Sequence, residues 1–268
     1  TTDVQFANNA EELKHDIIKG ALKYFKISNS IQISTFTTIP TSIGLGTSST
    51  LMVGLVKALA EKKGLCMSPI EIGQIAHHVE RKLLNLAGGI QDQYISALGG
   101  IQILDIDVNG KVSAIPLFIN HSKIEILEKH LLLVYTDAKR SSMKIIKSQK
   151  KDIANTIDVY DQIKAIGIES EQLLVDADID GLGEAMDRHW VLKKTLSNEI
   201  SNNHIDKMYL KLKKLGSPGG KIIGAGGGGF FMMSVPGEVE KYCKKITELG
   251  YTYLPWKFEF NGTYLINN

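Results

Sequence analysis

The stretch Pro40-Thr41-Ser42-Ile43-Gly44-Leu45-Gly46-Thr47-Ser48-Ser49 joins two segments that have different hydrophobic periods. Residues 31–36 alternate apolar and polar side chains, which predicts a strand. Residues 50–63 carry apolar side chains at helical spacing, and Gly64 follows them as a typical helix stop. We therefore expect a strand, a glycine-rich loop and a helix whose first N–H groups and positive end form an anion site.

Two interpretations of this loop are open from the residues alone. Thr47 or Ser48 can be the ordinary N-cap of a helix that follows a simple turn. Two glycines and the unbroken hydroxyl run 47–50 exceed what a cap requires, and they favour the anion site. The chain contains no G-x-x-x-x-G-K-[ST] sequence, so the loop is not a Walker A motif.

The bulk composition restricts the class of protein. A chain of 268 residues suits one large or two small domains and can bury a sizeable core. A formal net charge of +2 gives no reason to expect nucleic acid or a membrane surface as a partner. Cys66 and Cys243 lie far apart in sequence, which is typical of a reduced, cytoplasmic protein. No apolar run reaches membrane-spanning length, and the first residues do not resemble a signal peptide.

Helical and strand patterns alternate along the chain and predict an α+β or α/β fold. Residues 10–25 predict an amphipathic helix, and Ser68-Pro69-Ile70-Glu71 begins a helix that runs to about Asn85. Residues 90–98 predict a short helix that ends at Gly99-Gly100. A hairpin with its turn at Asn109-Gly110 follows.

The pattern loosens over residues 120–129, and we expect a boundary there between domains 1–125 and 126–268. A fully apolar run at 131–135 predicts a buried strand. The elements expected after it are a basic helix to Lys151, helices near 156–175 and 180–197, a helix ending at Gly216, strands at 221–223 and 230–235, a helix at 239–249 and a strand at 254–260.

A second glycine loop, Gly224-Ala225-Gly226-Gly227-Gly228-Gly229, lies between the last two closely spaced strands. It matches G-x-G-x-x-G formally, but a dinucleotide site needs that pattern between a strand and a helix. Five glycines in six residues favour close packing of the backbone against a phosphate or another loop. A flexible hairpin turn is the alternative.

Two carboxylates stand out between the glycine loops. Glu80 lies at the edge of an apolar helical stripe, where a solvated side chain is the simpler interpretation. Asp92 follows Gly-Gly in a first helical turn, where the helix dipole stabilises a carboxylate by about 0.3–1 kcal/mol. Near a phosphate loop the pair also suits phosphoryl transfer, in which one carboxylate holds Mg²⁺ and another orients or deprotonates the attacking hydroxyl.

Residues 40–50 resemble the P-x-x-x-G-L-G-S-S-A signature of the GHMP kinases, and residues 224–230 resemble the third glycine motif of that superfamily. Residues 86–94, 219–230 and 189–197 are similar to its sugar-kinase branch. The resemblance implies a two-domain α+β fold. It consists of a ribosomal-protein-S5-like N-terminal domain, without its first strands, and a ferredoxin-like C-terminal domain.

The same resemblance implies a role for individual residues. Asp92 is expected to be the base toward the sugar hydroxyl, and Ser48 and Glu80 are expected to hold Mg²⁺. The residues expected to bind the ATP phosphates are Pro40, Gly44, Leu45, Gly46, Thr47, Ser48 and Ser49. The loop expected to close over the site from the second domain comprises Gly224, Ala225, Gly226, Gly227 and Gly228. The residues expected on the substrate side are Gly89, Gln91, Arg140, Ser141, His189 and Lys193. For His189 and Lys193 a capped surface helix is the alternative.

The function implied is that of a cytoplasmic, ATP- and Mg²⁺-dependent kinase acting on a small-molecule sugar phosphate. The expected acceptor is the anomeric hydroxyl of a heptose 7-phosphate, and a homodimer is compatible with this function. Alternatives are a kinase for another sugar or a mevalonate-type alcohol, and a non-catalytic binder of nucleotide or sugar phosphate. GHMP kinases begin with a strand-rich segment that nothing before Ala10 matches, so an exposed sheet edge and weak or absent activity are expected of this chain alone.

Overall fold

The computed structural model describes residues 4–28, 31–37, 44–138, 142–149 and 153–266. These residues form two compact units. The first contains the described residues of Thr1–Thr41, Gly46–Gln102 and Glu259–Asn268, and the second contains those of Ser42–Leu45 and Ile103–Phe258. Both helices and an antiparallel sheet are present, so the α+β class is confirmed. The domain division at 125/126 stays a prediction.

The first unit is helical. Its helices are α1 (Asp16–Tyr24), α2 (Thr47–Lys62), α3 (Pro69–His78) and α4 (Gln91–Leu98), with a 3₁₀ turn at Ala10–Glu12 and a π-helical turn at Val79–Leu83. Local signals start and stop these helices as expected. Ser68 and Glu71 form a capping box at the start of α3, and α2 ends at Lys62, two residues before Gly64, whose φ is +68°.

A core of apolar side chains holds the first unit together. Met52, Val53 and Val56 of α2 are fully buried against side chains of α1 and α3. Gly73 allows α3 to approach α4, because a Cβ there would lie 3.2 Å from the Cα atom of Tyr94. The helices that carry the predicted loop and carboxylates therefore pack directly on one another.

Two predictions in this unit are wrong. Residues 31–37 form no strand, because the described part of the chain offers them no strand to pair with. The alternation still marks which side chains are buried, since Ile31 and Ile33 pack on the core and Phe36 is 95% exposed. The helix expected from residue 10 begins at Asp16, because Leu13 and His15 have extended backbones.

The second unit is built on a four-stranded antiparallel sheet, whose strands lie in the spatial order β4 (Gly220–Ile222), β5 (Phe230–Ser234), β3 (Leu131–Tyr135) and β6 (Tyr253–Leu254). A separate two-stranded hairpin, β1 (Gln102–Ile106) and β2 (Val112–Pro116), precedes it, with its turn at Asn109-Gly110 as predicted. The remaining elements are α5 (His121–His130), β3 (Leu131–Tyr135), α6 (Ser142–Gln149), α7 (Ile153–Asp176), α8 (Ile179–Thr195), α9 (Asn203–Lys214), β4 (Gly220–Ile222), β5 (Phe230–Ser234), α10 (Val239–Glu248) and β6 (Tyr253–Leu254).

Strand register decides which side chains enter the core of this unit. Ile222 lies opposite Phe231, which lies opposite Val134 on the next strand. Neighbours across an antiparallel sheet share a face, and these three are buried with Trp190 and Ile205. The buried strand predicted at 131–135 is thus confirmed as β3.

One further prediction is wrong, and one segment is clarified. Residues 120–129, where the pattern loosens, belong to helix α5, which Asn120 caps and which buries Ile124 and Leu127. So few apolar side chains leave a weak helical pattern in the sequence. The strand expected over 254–260 is limited to Tyr253–Leu254, because Pro255 has no N–H group to continue the ladder.

Candidate functional site

The first glycine loop leads directly into the start of a long helix. Gly44 and Gly46 have φ values of +84° and +67°, a region that favours glycine. Gly46 is the N-cap of α2 and has no side chain with which to cap it, so Thr47 and Ser48 are not N-caps. No side-chain cap is seen for α2 within the part of the chain that the structure describes, and the positive helix end favours an anion at its first N–H groups. Pro40 lies outside the described residues.

A buried carboxylate lies next to this helix start. The side chain of Glu80 is 1% exposed, which overturns the expectation of a solvated carboxylate. The Ser49 hydroxyl donates to Glu80 Oε2 over 3.0 Å. The amide of Gln93 donates to the Ser49 oxygen over 2.9 Å and also to Glu80 Oε2. Ser49, Glu80 and Gln93, which are far apart in sequence, thus meet at the Glu80 carboxylate.

Arg81 links Glu80 to the loop that precedes α4. Its guanidinium lies 3.3 Å from Glu80 Oε2 and donates twice to the Gly89 carbonyl, over 3.2 and 3.1 Å. Both residues lie in the π-helical turn, a feature that often marks functional sites. Gly88 has to be glycine for this arrangement, because a Cβ there would lie 2.2 Å from the guanidinium.

The protonation of Glu80 is set by opposing effects. Burial raises the pKa of its carboxyl, and the negative charge of Asp92 raises it further. The Arg81 guanidinium and the hydrogen bonds from Gln93 and Ser49 act in the opposite direction. Burial is the largest of these effects, so the pKa of the Glu80 carboxyl lies above its usual value.

One oxygen of Glu80 suits a metal ion. Within the described residues Glu80 Oε1 is buried and has no hydrogen-bond partner. Mg²⁺ is commonly held by one or two carboxylates together with water and substrate phosphates. The described part of the chain contains no group of three or more His, Cys, Asp or Glu residues placed to hold a metal ion. The donor set fits a metal that arrives with a phosphate rather than one in a protein cage.

Asp92 lies beside the glycine loop. A Cβ on Gly46 would lie 3.6 Å from both Cγ and Oδ2 of Asp92. Helices α2 and α4 also meet where the Thr50 and Ser96 hydroxyl oxygens are 3.0 Å apart. The fold therefore brings the predicted base, the predicted metal-binding carboxylate and the helix start together within the first unit.

The structure also extends the set of residues that sequence reasoning identified. Ser48, the predicted metal-binding hydroxyl, is exposed, whereas Ser49 contacts Glu80. Arg81 and Gln93 were not predicted, although each is adjacent in sequence to a predicted carboxylate. Gln91, predicted on the substrate side, is exposed. Its side chain lies against Gly89, since a Cβ on that glycine would lie 2.2 Å from Gln91 Oε1.

The second glycine loop is packed against other segments of the second unit. The N–H of Gly227 donates to the Ile200 carbonyl over 2.7 Å. A Cβ on Gly228 would lie 2.4 Å from the Ala138 carbonyl oxygen. The loop joins β4 to β5, so it is not a dinucleotide motif, and it is held by other loops rather than flexible. Its contact with substrate phosphate stays a prediction.

A basic group of residues adjoins this loop. His189 and Lys193 lie one turn apart on α8, and both are half-buried. Their place on the substrate side stays a prediction. The Lys193 ammonium donates to the Gly224 carbonyl. Burial, together with the charges of Lys221 and Lys193, lowers the pKa of His189 to about 3. Sequence reasoning missed Lys221, whose only signal is a lysine inside a buried strand; Arg140 and Ser141 lie outside the described residues.

Among the described helices, none combines the length and the apolar character that crossing a membrane requires.

Family models match both halves of the chain. The model of the GHMP kinase N-terminal domain matches residues 16–100, and that of the GHMP kinase C-terminal domain matches residues 170–252. A D-glycero-alpha-D-manno-heptose 7-phosphate kinase of Campylobacter jejuni is 32% identical over 208 residues, which are 77% of this chain and 61% of that protein. The chain therefore spans less than two thirds of this relative. A mevalonate kinase of Saccharolobus solfataricus is 28% identical over 228 residues, 81% of this chain and 67% of that protein.

Solved structures agree with these matches. The crystal structure of a D-glycero-D-manno-heptose 1-phosphate kinase from Bacteriodes thetaiotaomicron superposes with a TM-score of 0.76 at 26% identity, covering 95% of this chain and 76% of that one. The predicted two-domain GHMP kinase fold is thereby confirmed. Together the two models cover more than half of the residues, and the chain belongs to the GHMP kinase family.

Proposed function

We propose that the chain is an ATP- and Mg²⁺-dependent kinase that phosphorylates a hydroxyl group of a sugar phosphate. The observation that carries this proposal is the meeting of buried Glu80, Asp92 and the start of α2, which has no side-chain cap among the described residues. A helix start binds phosphate, and two carboxylates meet the two needs of phosphoryl transfer, a metal ligand and a proton acceptor. Membership of a kinase family supports the proposal.

The nucleotide phosphates are assigned to the first glycine loop. The backbone N–H groups at the start of α2 would donate to them, and the helix dipole would favour their negative charge. The residues assigned to this role are Pro40, Gly44, Leu45, Gly46, Thr47, Ser48 and Ser49.

The metal is assigned to Glu80 and Ser48. Glu80 would hold Mg²⁺ through Oε1, the oxygen left without a partner within the described residues, while Ser49, Gln93 and Arg81 orient the carboxylate through Oε2. When bound, Mg²⁺ would neutralise part of the charge of the transferring phosphate.

Asp92 is assigned the proton transfer. The acceptor oxygen forms a bond to the γ-phosphorus of ATP, and the bond from that phosphorus to the bridging oxygen breaks and releases ADP. The carboxylate of Asp92 takes the proton from the acceptor hydroxyl as the new bond forms. Its position in the first turn of α4 favours the ionised form that this role requires.

The acceptor is assigned as D-glycero-D-manno-heptose 7-phosphate, phosphorylated at its anomeric hydroxyl to the 1,7-bisphosphate. The Campylobacter relative is a heptose 7-phosphate kinase, which supports this choice. The reaction would take place in the cytoplasm and supply nucleotide-heptose synthesis for surface polysaccharide. The residues assigned to the acceptor side are Gly89, Gln91, Arg140, Ser141, His189 and Lys193.

A second candidate is a kinase for a non-sugar alcohol. The mevalonate kinase of Saccharolobus solfataricus matches 81% of this chain at 28% identity, so the likeness extends beyond sugar kinases. The carboxylate pair and the helix start would serve either acceptor equally well. Only an acceptor panel separates the two candidates.

The test is ³¹P NMR of the protein with Mg-ATP and separate samples of heptose 7-phosphate, fucose, galactose and mevalonate. We expect a new sugar-phosphate resonance and loss of the ATP γ-resonance with heptose 7-phosphate. Asp92→Asn is expected to slow turnover by roughly 10²–10⁴, the scale of losing a general base, while ATP still binds.

Asp180→Asn is the matched control, because Asp180 also lies in the first turn of a helix but is exposed and has no part in the proposed mechanism. It should leave the rate unchanged. Normal turnover by Asp92→Asn would remove this residue from the mechanism. Nucleotide binding without turnover on any acceptor would instead favour a non-catalytic binder.

A further inference from the structure

A buried glutamine beside Glu80 carries an oxygen atom that the proposed mechanism does not use. Gln93 lies on α4 and is fully buried. Its side-chain oxygen, Oε1, has no hydrogen-bond partner within the described residues, and the same holds for Glu80 Oε1. A buried oxygen that accepts no hydrogen bond costs free energy, and native structures contain few such atoms. Two of them on neighbouring side chains therefore point to a missing ligand.

The orientation of the Gln93 amide is fixed by its own donors. Its Nε2 atom donates to Ser49 Oγ over 2.9 Å and also to Glu80 Oε2. Rotating the amide by half a turn would place its oxygen against a carboxylate oxygen, and neither atom could donate to the other. Both amide hydrogens are therefore used, and Oε1 is the atom of this amide that remains open.

The neighbouring groups contact the other oxygen of Glu80. A hydroxyl group has one proton to donate, and that of Ser49 goes to Glu80 Oε2 over 3.0 Å. The Arg81 guanidinium lies 3.3 Å from the same atom. These contacts fix the carboxylate through Oε2, and they leave Oε1 open in the described part of the chain.

The two open oxygens lie in one small region of the first unit. Gln93 Oε1 is bonded to the carbon that carries Nε2, and Glu80 Oε1 is bonded to the carbon that carries Oε2. Nε2 and Oε2 are in contact, so only the widths of an amide and a carboxylate separate the open oxygens from that contact. Both residues belong to the same compact unit. One small ligand can therefore reach both atoms.

The chemistry of the two atoms indicates a divalent cation. A carboxylate oxygen and an amide carbonyl oxygen are the hard ligands that Mg²⁺ and Mn²⁺ prefer. A buried water molecule typically makes about three hydrogen bonds, and the Ser49 hydroxyl and the Gln93 amide have no donor left for it. A cation needs only the lone pairs that these two oxygens offer.

We propose that Gln93 Oε1 is an oxygen ligand of the divalent cation that Glu80 Oε1 holds. The identity of this cation as the Mg²⁺ that accompanies ATP rests on the proposed kinase function, whereas the pair of open oxygens does not. Gln93 then has two roles, since it orients Glu80 through Nε2 and binds the metal through Oε1. A side-chain amide suits both roles because it carries a donor and an acceptor on one carbon.

The test is electron–nuclear double resonance of Mn²⁺ and ADP bound to protein that is made by cell-free synthesis with ¹³Cδ-labelled glutamine. Mn²⁺ replaces Mg²⁺ because it prefers the same oxygen ligands and is paramagnetic. The carbon bonded to a ligating oxygen couples to the electron spin far more strongly than distant carbons, because the dipolar coupling falls with the cube of the distance. We expect one strong ¹³C coupling in the wild-type chain and its loss in Gln93→Met.

Two further variants separate ligation from orientation. Gln74→Met removes an exposed glutamine of α3 in the same unit and should retain the strong coupling. Ser49→Ala removes a hydrogen bond to Glu80 Oε2 but leaves the Gln93 oxygen in place, so it should retain the coupling as well. Gln93→Met should also raise the Mn²⁺ concentration that half-forms the protein-bound spectrum, roughly tenfold or more.

Two results would overturn the proposal. The first is a bound Mn²⁺-ADP complex without a strong glutamine coupling in the wild-type chain, a result that does not depend on whether any variant folds. The second is retention of the coupling in Gln93→Met. Neither result bears on the kinase function, which turnover on the acceptor panel tests. A Gln93 coupling in a chain without turnover would instead contradict the kinase function and leave the cation site standing.

Discussion

Glu80 combines two properties that a metal ligand needs, a fixed position and a free oxygen. Ser49 and Gln93 donate to Oε2, while Oε1 has no partner within the described residues. Burial raises the pKa of this carboxyl, because it disfavours the charged form. A divalent cation at Oε1 would favour the charged form again.

Glu80→Gln tests this role. The amide keeps the shape of the side chain but loses its charge, so the Mg²⁺ concentration needed for half-maximal activity should rise roughly tenfold or more. The measurement is activity against Mg²⁺ concentration at saturating ATP. Glu61→Gln on the exposed side of α2 is the control and should not change the titration. A Glu80→Gln curve that superposes on the wild-type curve would show that Glu80 does not hold the metal.

His189 predicts how stability depends on pH. Its pKa in the fold is about 3, against 6.5 in an unfolded chain, because burial and the charges of Lys221 and Lys193 disfavour the imidazolium form. Between these values the unfolded chain binds more protons than the folded one. The free energy of unfolding should therefore fall as the pH falls from about 6.5 toward 3, by at most about 1.4 kcal/mol per pH unit for one proton.

Urea unfolding at a series of pH values checks this expectation. Other groups also titrate in this pH range. The informative quantity is therefore the difference in unfolding free energy between the wild-type chain and His189→Gln at each pH. We expect the slope of stability against pH to be smaller in the variant. Equal slopes in the wild-type chain and the variant would mean that His189 does not contribute to the pH dependence of stability.

At the scale of elements, the π-helical turn after α3 organises the first unit. It contains Glu80 and Arg81, and Arg81 bonds both the carboxylate and the Gly89 carbonyl. The loop bonded in this way leads into α4, which carries Asp92 and Gln93. One guanidinium thus couples the position of the proposed metal-binding carboxylate, Glu80, to that of the proposed base, Asp92.

The second glycine loop depends on backbone shapes that other residues rarely adopt. Gly228 has a φ of +139°, and a Cβ there would lie 2.4 Å from the Ala138 carbonyl oxygen. Gly228→Ala should therefore destabilise the second unit by roughly 1–3 kcal/mol through backbone strain. Gly237→Ala, where a Cβ meets nothing within 4 Å, should change stability by less than about 0.5 kcal/mol. Denaturant unfolding measures the stability of both variants. Equal losses of stability in the two variants would contradict this view of the loop.

At the scale of the whole molecule, the two units have separate cores. One core is built on α1, α2 and α3, and the other surrounds the sheet that contains Phe231. The two sets of buried side chains share no residue. Each unit can therefore lose its packing locally.

Phe231→Ala tests this separation. Phe231 is fully buried, so the cavity should cost the second unit roughly 3–5 kcal/mol. Hydrogen exchange should show lost protection in β3, β5 and α9, with α2 and α3 unchanged. Equal loss of protection in all of these elements would mean that both units unfold together.

The sequence by itself determined the features that depend on residues a few positions apart. The capping box of Ser68 and Glu71, the helix stop at Gly64 and the turn at Asn109-Gly110 are confirmed. The glycine loop at the start of α2 and the spacing of Glu80 and Asp92 also identified the family correctly. Short-range backbone preferences and motifs decide these features, and both are written directly in neighbouring residues.

Only the tertiary structure decided the features that depend on distant partners. The alternation of residues 31–36 did not make a strand, because pairing requires a second strand at the right place. Glu80 lies on the margin of an apolar stripe, yet it is buried by Ser49 and Gln93, 31 and 13 residues away in sequence. Lys221 joins His189 only because β4 packs on α8. Burial and charge depend on what surrounds a side chain, and packing alone brings those surroundings together.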